Sequence, residues 1–362
     1  MHLIVRSVPW LIDFGGIHPW IVRTRPLGKP AGNRLVANKG KSFQGSNVLG
    51  KGFVLTPEHA ADLIQRDPRN KDVLFPYLNG EDLNSRPDCS ASRWVINFHD
   101  WSEERARSYP EVFSRVERDV KPERLKNNRK VYRDHWWQYA EKRPAMINAI
   151  RGLDRVLVVA LVSRTVMPVT VPTGQVFSHM LGVFASTGLA HSALLGSGIH
   201  YAWTIARASS LKGDIRYTPS DVYETLPLPP VTIRTETAGR ALDGLRREIM
   251  TERRLGLTGL YKIIHNSRDS SNDIQALRDA HRKVDEATTD AYGWFDLELD
   301  HGFYETRQGP RFLISPATGG EMVDRLLELN HAQYKAESSP YRIQGCAVEK
   351  MTQRAMEGDV LF

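Results

Sequence analysis

The stretch RVLVVALVS, residues 155–163, constrains this chain more than any other. Four valines, two leucines and an alanine stand between Arg155 and Ser163. A run this short and this β-branched predicts a buried strand. VMPVTVP and QVFSHMLGVFA follow, with turn residues at Pro172–Gly174 between them. Together the three segments predict an antiparallel meander.

The segments around it read as helices and short strands. TPEHAADLIQRD carries a start signal: Thr56 at the cap, Pro57 in the first helical position and Glu58 in the first turn. RWVINF (93–98) reads as a strand. SEERARSYPEVFSRVERDV reads as helix, restarted at Pro110, with Val112, Val116 and Val120 on one face. SGIHYAWTIARASS (197–210) reads as a helix capped by Ser197, with Ile199, Trp203 and Ala206 on one face. NGEDLN (79–84) reads as a glycine-containing turn with Asn79 and Asn84 at its two ends. LPLPP (226–230) stops both helix and sheet and marks a boundary.

Beyond it helical spacing returns in three segments: Leu242, Leu245 and Ile249; Leu277, Val284 and Thr288; then Val323, Leu326, Leu327 and Asn330. HGFYETRQGPRFLIS reads as a hairpin or ordered loop. The fold class expected is therefore α+β. Residues 33–230 form a β-rich domain with interspersed helices, and residues 231–340 a mostly helical region. Residues 1–32 are expected to give an edge strand or two and a loop, and residues 341–362 a flexible tail.

Charge is distributed unevenly. The net charge is +7, yet residues 1–230 hold 31 Lys and Arg against 21 Asp and Glu, and residues 231–362 hold 18 against 21. A basic part followed by a mildly acidic one fits a polyanion-binding module with an appendage. The positive charge concentrates in KPERLKNNRKVYRDHWWQYAEKRP, residues 121–144. Eight of its 24 residues are Lys or Arg, beside Tyr132, Trp136, Trp137 and Tyr139. Cations answer phosphates, and rings can stack on bases or sugars. Lys121, Arg124, Lys126, Arg129, Lys130 and Arg133 are the candidate phosphate contacts. Adjacent residues on a helix diverge by about 100°. One of Trp136 and Trp137 is therefore expected to pack while the other stays near the surface for stacking.

Other chemistry is missing from the sequence. It contains no phosphate-cradling glycine loop with Lys and Ser/Thr, no G-x-G-x-x-G after a strand, no H-E-x-x-H and no G-x-S-x-G. Cys89 and Cys346 give neither a metal spacing nor a disulfide framework, and no metal is expected. LIVRSVPWLIDF is broken by Arg6 and Pro9 and does not read as a signal peptide. No apolar run approaches the ~20 residues of a membrane span. The expectation is a cytoplasmic protein without a membrane partner.

Base-reading candidates come from the β-rich part. Ser163, Arg164 and Thr165 interrupt an apolar strand, and an arginine there needs a counter-charge, solvent or a guanine edge. Ser178 and His179 lie one hairpin away. Tyr217, Thr218 and Ser220 in RYTPSD form a second loop.

Several long motifs, in order, carry a resemblance. GKSFQGSNVLGKGFVLTPEHA, RNKDVLFPYLNGEDLNSRP, SRWVINFHDW, VKPER, VLVVALVSRTVMPVTVPTGQVFSH and RYTPSDVYETLPLP resemble the C-terminal half of large adenine-specific DNA methyltransferases. These are the class I type IIG/IIL restriction-modification enzymes and related phage-defence methylases. AYGW, HGFYETRQGPRF and RLLELNHAQY resemble the helical tail of the same proteins, so the likeness spans about residues 33–336.

It implies a target-recognition domain on double-stranded DNA, braced by C-terminal helices. In the intact enzyme S-adenosylmethionine would supply the methyl group for adenine N6. The sequence departs from that pattern: it has neither the Gly-rich cofactor loop nor the Asn-Pro-Pro-aromatic motif, nor a Pro-Asp with Glu-x-Lys nuclease signature. The expectation is a specificity half that binds no cofactor itself and is not catalytic alone. A separately encoded catalytic subunit would be its partner. The rival readings are an inactive remnant of a truncated gene and a general nucleic-acid-binding protein.

Overall fold

The strand expected at residues 155–163 sits at the middle of the molecule. In the computed structural model, which describes residues 32–211 and 214–339, the central sheet has the order β1 (Ser42–Gln44), β9 (Leu181–Phe184), β5 (Arg155–Ala160), β7 (Val169–Pro172). All its pairings are antiparallel. Side chains alternate across a strand, so β5 feeds two cores. Val156 and Val158 point into one, with Val169, Val171, Leu181 and Val183. Leu157 and Val159 point into another, with Phe184, Trp203, Tyr217 and Tyr223.

The meander is not sequential. β5 is buried after its first residue and takes a neighbour on each edge, β7 on one and β9 on the other. Between β7 and β9 the chain leaves the sheet. β8 (Val176–Phe177) pairs in parallel with β3 (Leu74–Leu78), in a second sheet with β4 (Arg93–Ile96) and β2 (Val54–Leu55). The far end of the 155–163 run also changes sheet. After Leu161, β6 (Val162–Ser163) joins β11 (Asp214–Arg216) and β10 (Ser209–Leu211).

Local signals place the helices as expected. Thr56 Oγ1 accepts the His59 amide at the head of Pro57–Arg66. Ser197 Oγ accepts the His200 amide at the head of Gly198–Arg207; that helix stops short of the expected residue 210, because Ser209–Leu211 pairs with β11 instead. Pro110 opens Pro110–Asp119, whose Val112 and Val116 are fully buried along with Val120. Residues 79–85 differ from expectation. Gly80–Ser85 is a helix, because Asn79 and Asp82 form a reciprocal capping box that a turn would leave unused. Asn79 thereby spends its side chain on the Glu81 and Asp82 amides.

The C-terminal helices join the same cores. Ile233–Arg253 lies against Leu189–Gly196, and a Cβ added at Gly239 would stand 2.1 Å from the Leu189 carbonyl oxygen. Only glycine permits that approach. Leu242, Ile249, Leu277 and Val284 extend the Val156 side of the core. Val323, Leu326 and Leu327 of Pro316–Glu337 extend the Leu157 side. β12 (Gly302–Thr306) and β13 (Gly309–Leu313) form a hairpin between them.

The strand-and-loop expectation for residues 1–32 falls, except for Gly32, outside the described residues, as does the tail 341–362 with Cys346. Among the described residues no helix is long and apolar enough to cross a membrane, and no cluster could hold a metal ion.

Candidate nucleic-acid interface

The basic run folds into two short helices, Lys121–Leu125 and Lys130–Asp134, and a turn that carries both tryptophans. The helix ends before Trp136, so the 100° argument does not apply to the pair. Both rings are buried, Trp136 against Phe113 and Trp137 with its indole N–H donating to the Trp101 carbonyl at 2.9 Å. Neither is available to stack on DNA, which corrects that expectation.

Arg124 is a second correction. It is 2% exposed, and its Nη2 donates to the Val48 and Gln138 carbonyls at 2.9 and 3.0 Å. Burial pulls its pKa down to about 10. It clamps two distant backbone segments and cannot meet a phosphate. Lys121 is half-buried, pairs with Glu117 at 2.7 Å and lies over the Trp136 ring.

The remaining cations face solvent in varying degree. Lys126 is exposed and makes no ion pair among the described residues. Arg129 is exposed and donates to the Tyr132 hydroxyl. Lys130 is exposed and pairs with Asp134. Arg133 is half-buried and donates to the Asn127 and Asn128 carbonyls, which holds the turn between the helices.

The base-reading candidates divide in the same way. Ser163 and Thr165 are buried and bonded to each other, with Ser163 Oγ also accepting the Thr165 amide at 3.1 Å. Ser178 is buried and accepts the Met180 amide. Tyr217 is 2% exposed and bonded to His200 Nε2 at 3.1 Å. These four hydroxyl groups build the scaffold and are unavailable to base edges.

Their bonding presents a neighbour. The Ser163–Thr165 bond folds the chain so that Arg164 points outward, its side chain 66% exposed and paired with Asp214 at 3.1 Å. Val166 follows at φ 47°, a region that costs a β-branched residue roughly 1–3 kcal/mol. His179, Thr218 and Ser220 are half-buried. Ser220 donates to Asp221. Burial, and secondarily the Arg143 guanidinium, lower the His179 pKa.

A chain of contacts joins the accessible groups. Arg143, at the end of the basic run, reaches the Gln44 side chain at 3.3 Å, and Gln44 Nε2 donates to the His179 carbonyl at 2.7 Å. The next residue, Met180, accepts the Leu161 amide at 2.9 Å, two residues before Ser163. β6 then pairs with β11, which carries the exposed Arg216. Gly45 closes the approach at one point: a Cβ there would lie 2.2 Å from the Ser178 carbonyl oxygen. One edge thus runs from Arg143 through Gln44 and His179 to Arg164 and Arg216. Gln44 does not stand out in the sequence, and nothing there separates Arg143 from the rest of the basic run or Arg216 from its loop, because only the exchange of strands between sheets brings them beside His179 and Arg164.

Comparison with known proteins gives two findings. Residues 33–230 match the profile described as MmeI, target recognition domain. The chain also superposes on a solved structure of the type IIL restriction-modification enzyme MmeI in complex with DNA, at a TM-score of 0.59 and 17% identity. That match covers 81% of this chain and 36% of the solved one, so the chain spans about a third of that enzyme's length and shares its fold there. No curated protein sequence matches.

Proposed function

Because the chain belongs to the MmeI target-recognition-domain family, we propose that it reads the sequence of double-stranded DNA for a restriction-modification enzyme. The family match over residues 33–230 carries this reading. The contiguous edge supplies a surface that could perform it. Lys126, Arg129 and Lys130 neutralise phosphates and set the register without reading sequence. Arg164 offers a planar fork suited to guanine O6 and N7, and the exposed Gln44 side chain, held by Arg143 and the His179 carbonyl, keeps one amide hydrogen for a base edge. His179, Thr218 and Ser220 flank them. The helices Ile233–Arg253 and Pro316–Glu337 brace the reading edge through the shared cores.

Methyl transfer to adenine N6 from S-adenosylmethionine would belong to a catalytic partner that carries the Gly-rich loop and the Asn-Pro-Pro-aromatic motif. The role of this chain would be to place one adenine for extrusion into that partner. Selection by the purified chain from a random duplex pool at moderate salt tests the reading. Enrichment of a short motif, with duplex preferred to single strands, is the expected result. Equal binding of single strands without enrichment would favour general nucleic-acid binding instead.

A further inference from the structure

Arg311, on β13, is a buried cation without a counter-ion. It is 5% exposed and forms no ion pair among the described residues. Its Nε has no hydrogen-bond partner. Its Nη1 faces His265 Nε2 at 3.4 Å. That contact conflicts with another, because the Phe312 amide donates to His265 Nδ1 at 3.2 Å. Burial, and then the Arg311 guanidinium, hold the His265 pKa at about 3, so the ring is neutral and has one acceptor nitrogen. With Nδ1 accepting from Phe312, Nε2 carries the proton. Two N–H donors then stand 3.4 Å apart with no acceptor between them, one of them on a charged group. Buried charge left in this state is costly, and an acceptor bearing negative charge to one side, within reach of both N–H groups, removes the cost.

Space for such an acceptor is present. A cavity of about 40 Å³ is lined by Arg311, His265, Tyr201, Thr165, Gly198 and His281. That is room for roughly three water-sized sites. The carboxylate in the cavity wall, Asp285, is already engaged: the Gly198 amide donates to one oxygen at 2.6 Å and His301 Nε2 bonds the other at 2.8 Å. Burial lowers the Arg311 pKa; the Tyr201 phenol, its ring centre 5.8 Å from the guanidinium, acts the other way, and the Arg164 guanidinium adds a second positive charge nearby.

We propose that Arg311 and the Nε2–H of His265 bind one small anion, a chloride or a single phosphate oxygen. The anion is a free inorganic one: at 5% exposure Arg311, like Arg124, lies out of reach of a duplex backbone phosphate, so the inference does not rest on the DNA-recognition reading.

The test uses the full chain in sodium gluconate at constant ionic strength, with chloride or inorganic phosphate replacing gluconate. A free-anion site predicts a saturable rise in melting temperature of about 3 °C at ten times the dissociation constant, absent in Arg311→Gln. The ³⁵Cl line of the wild-type solution would broaden and sharpen again on adding phosphate, a readout that survives if the variant does not fold. If neither anion raises the melting temperature of the wild type and the ³⁵Cl line stays sharp, the site holds water alone and the inference is overturned. Failure of the chain to bind any duplex would remove the recognition reading while leaving the free-anion result standing.

Discussion

Two regions rich in hydrogen-bonding side chains met opposite fates. In the basic run, residues 121–144, the densest positive charge in the chain is largely turned to structural use: Arg124 clamps carbonyls, Lys121 and Lys130 pair with neighbouring carboxylates, and Arg133 holds a turn. At the 161–180 edge, a few polar residues in an apolar strand leave one arginine projecting from a rigid turn. Charge density marks where a polyanion could settle. Exposure set by buried hydroxyl networks marks where a sequence could be read.

The largest way to break this comparison is to cut into the interior of the basic run. Trp136→Ala should cost about 3–5 kcal/mol. Arg124→Ala should cost a similar amount, since it leaves the Val48 and Gln138 carbonyls buried and unpaired. Urea unfolding would check both; a loss below about 1 kcal/mol for Arg124→Ala would return it to the surface cations.

Acid should act next, behind the reading edge. His200 is 1% exposed, its Nδ1–H donates to the Leu195 carbonyl at 2.8 Å, and its Nε2 meets the Tyr217 hydroxyl. Burial depresses its pKa from 6.5 to about 4. The unfolded chain therefore takes up a proton before the native one does. Stability is unaffected well above pH 6.5 and is lost as pH falls from there toward 4, by up to about 3 kcal/mol for this group. A His200→Gln variant should show a shallower loss of stability over that window, read from urea midpoints at a series of pH values.

Smaller effects sharpen the comparison on the binding side. Arg164→Ala should leave stability within about 0.5 kcal/mol, because its ion pair is exposed. It should cost roughly 1–3 kcal/mol of discrimination at one base pair. Equal weakening on every sequence would remove Arg164 from base reading. Replacing Lys126, Arg129 and Lys130 together by Ala should do the reverse: uniform weakening and a flatter salt dependence, by about 0.9 for each phosphate no longer neutralised. An unchanged slope would move the phosphate grip elsewhere.

Features written in local sequence were legible in advance. The caps at Thr56 and Ser197, the restart at Pro110, the burial of the 155–163 run and three of the four helices described beyond residue 230 follow from spacing and end signals within a few residues; the fourth, Leu257–Ile264, has no side-chain cap and was not legible in advance. Features decided by distant partners were not. Arg124 reads as a surface cation until Val48, 76 residues away, presents its carbonyl. Tyr217 reads as a loop residue until His200 accepts its hydroxyl. The departure of β8 to pair with β3 depends on a parallel register that no turn motif encodes, and it brings Gln44 beside His179. Of the proposed reading edge, Arg164 and His179 were visible as polar breaks in apolar strands, whereas Gln44, and the place of Arg143 and Arg216 beside them, needed the topology.

Hydroxyl-radical footprinting of the chain with and without a selected duplex tests the reading edge most directly. Protection should fall on Lys126–Lys130, on His179 and Met180, and on Arg164 and Arg216, with Trp136, Trp137 and Tyr217 unreactive in both states. Protection confined to the helices Ile233–Arg253 and Pro316–Glu337, with the edge left open, would contradict it.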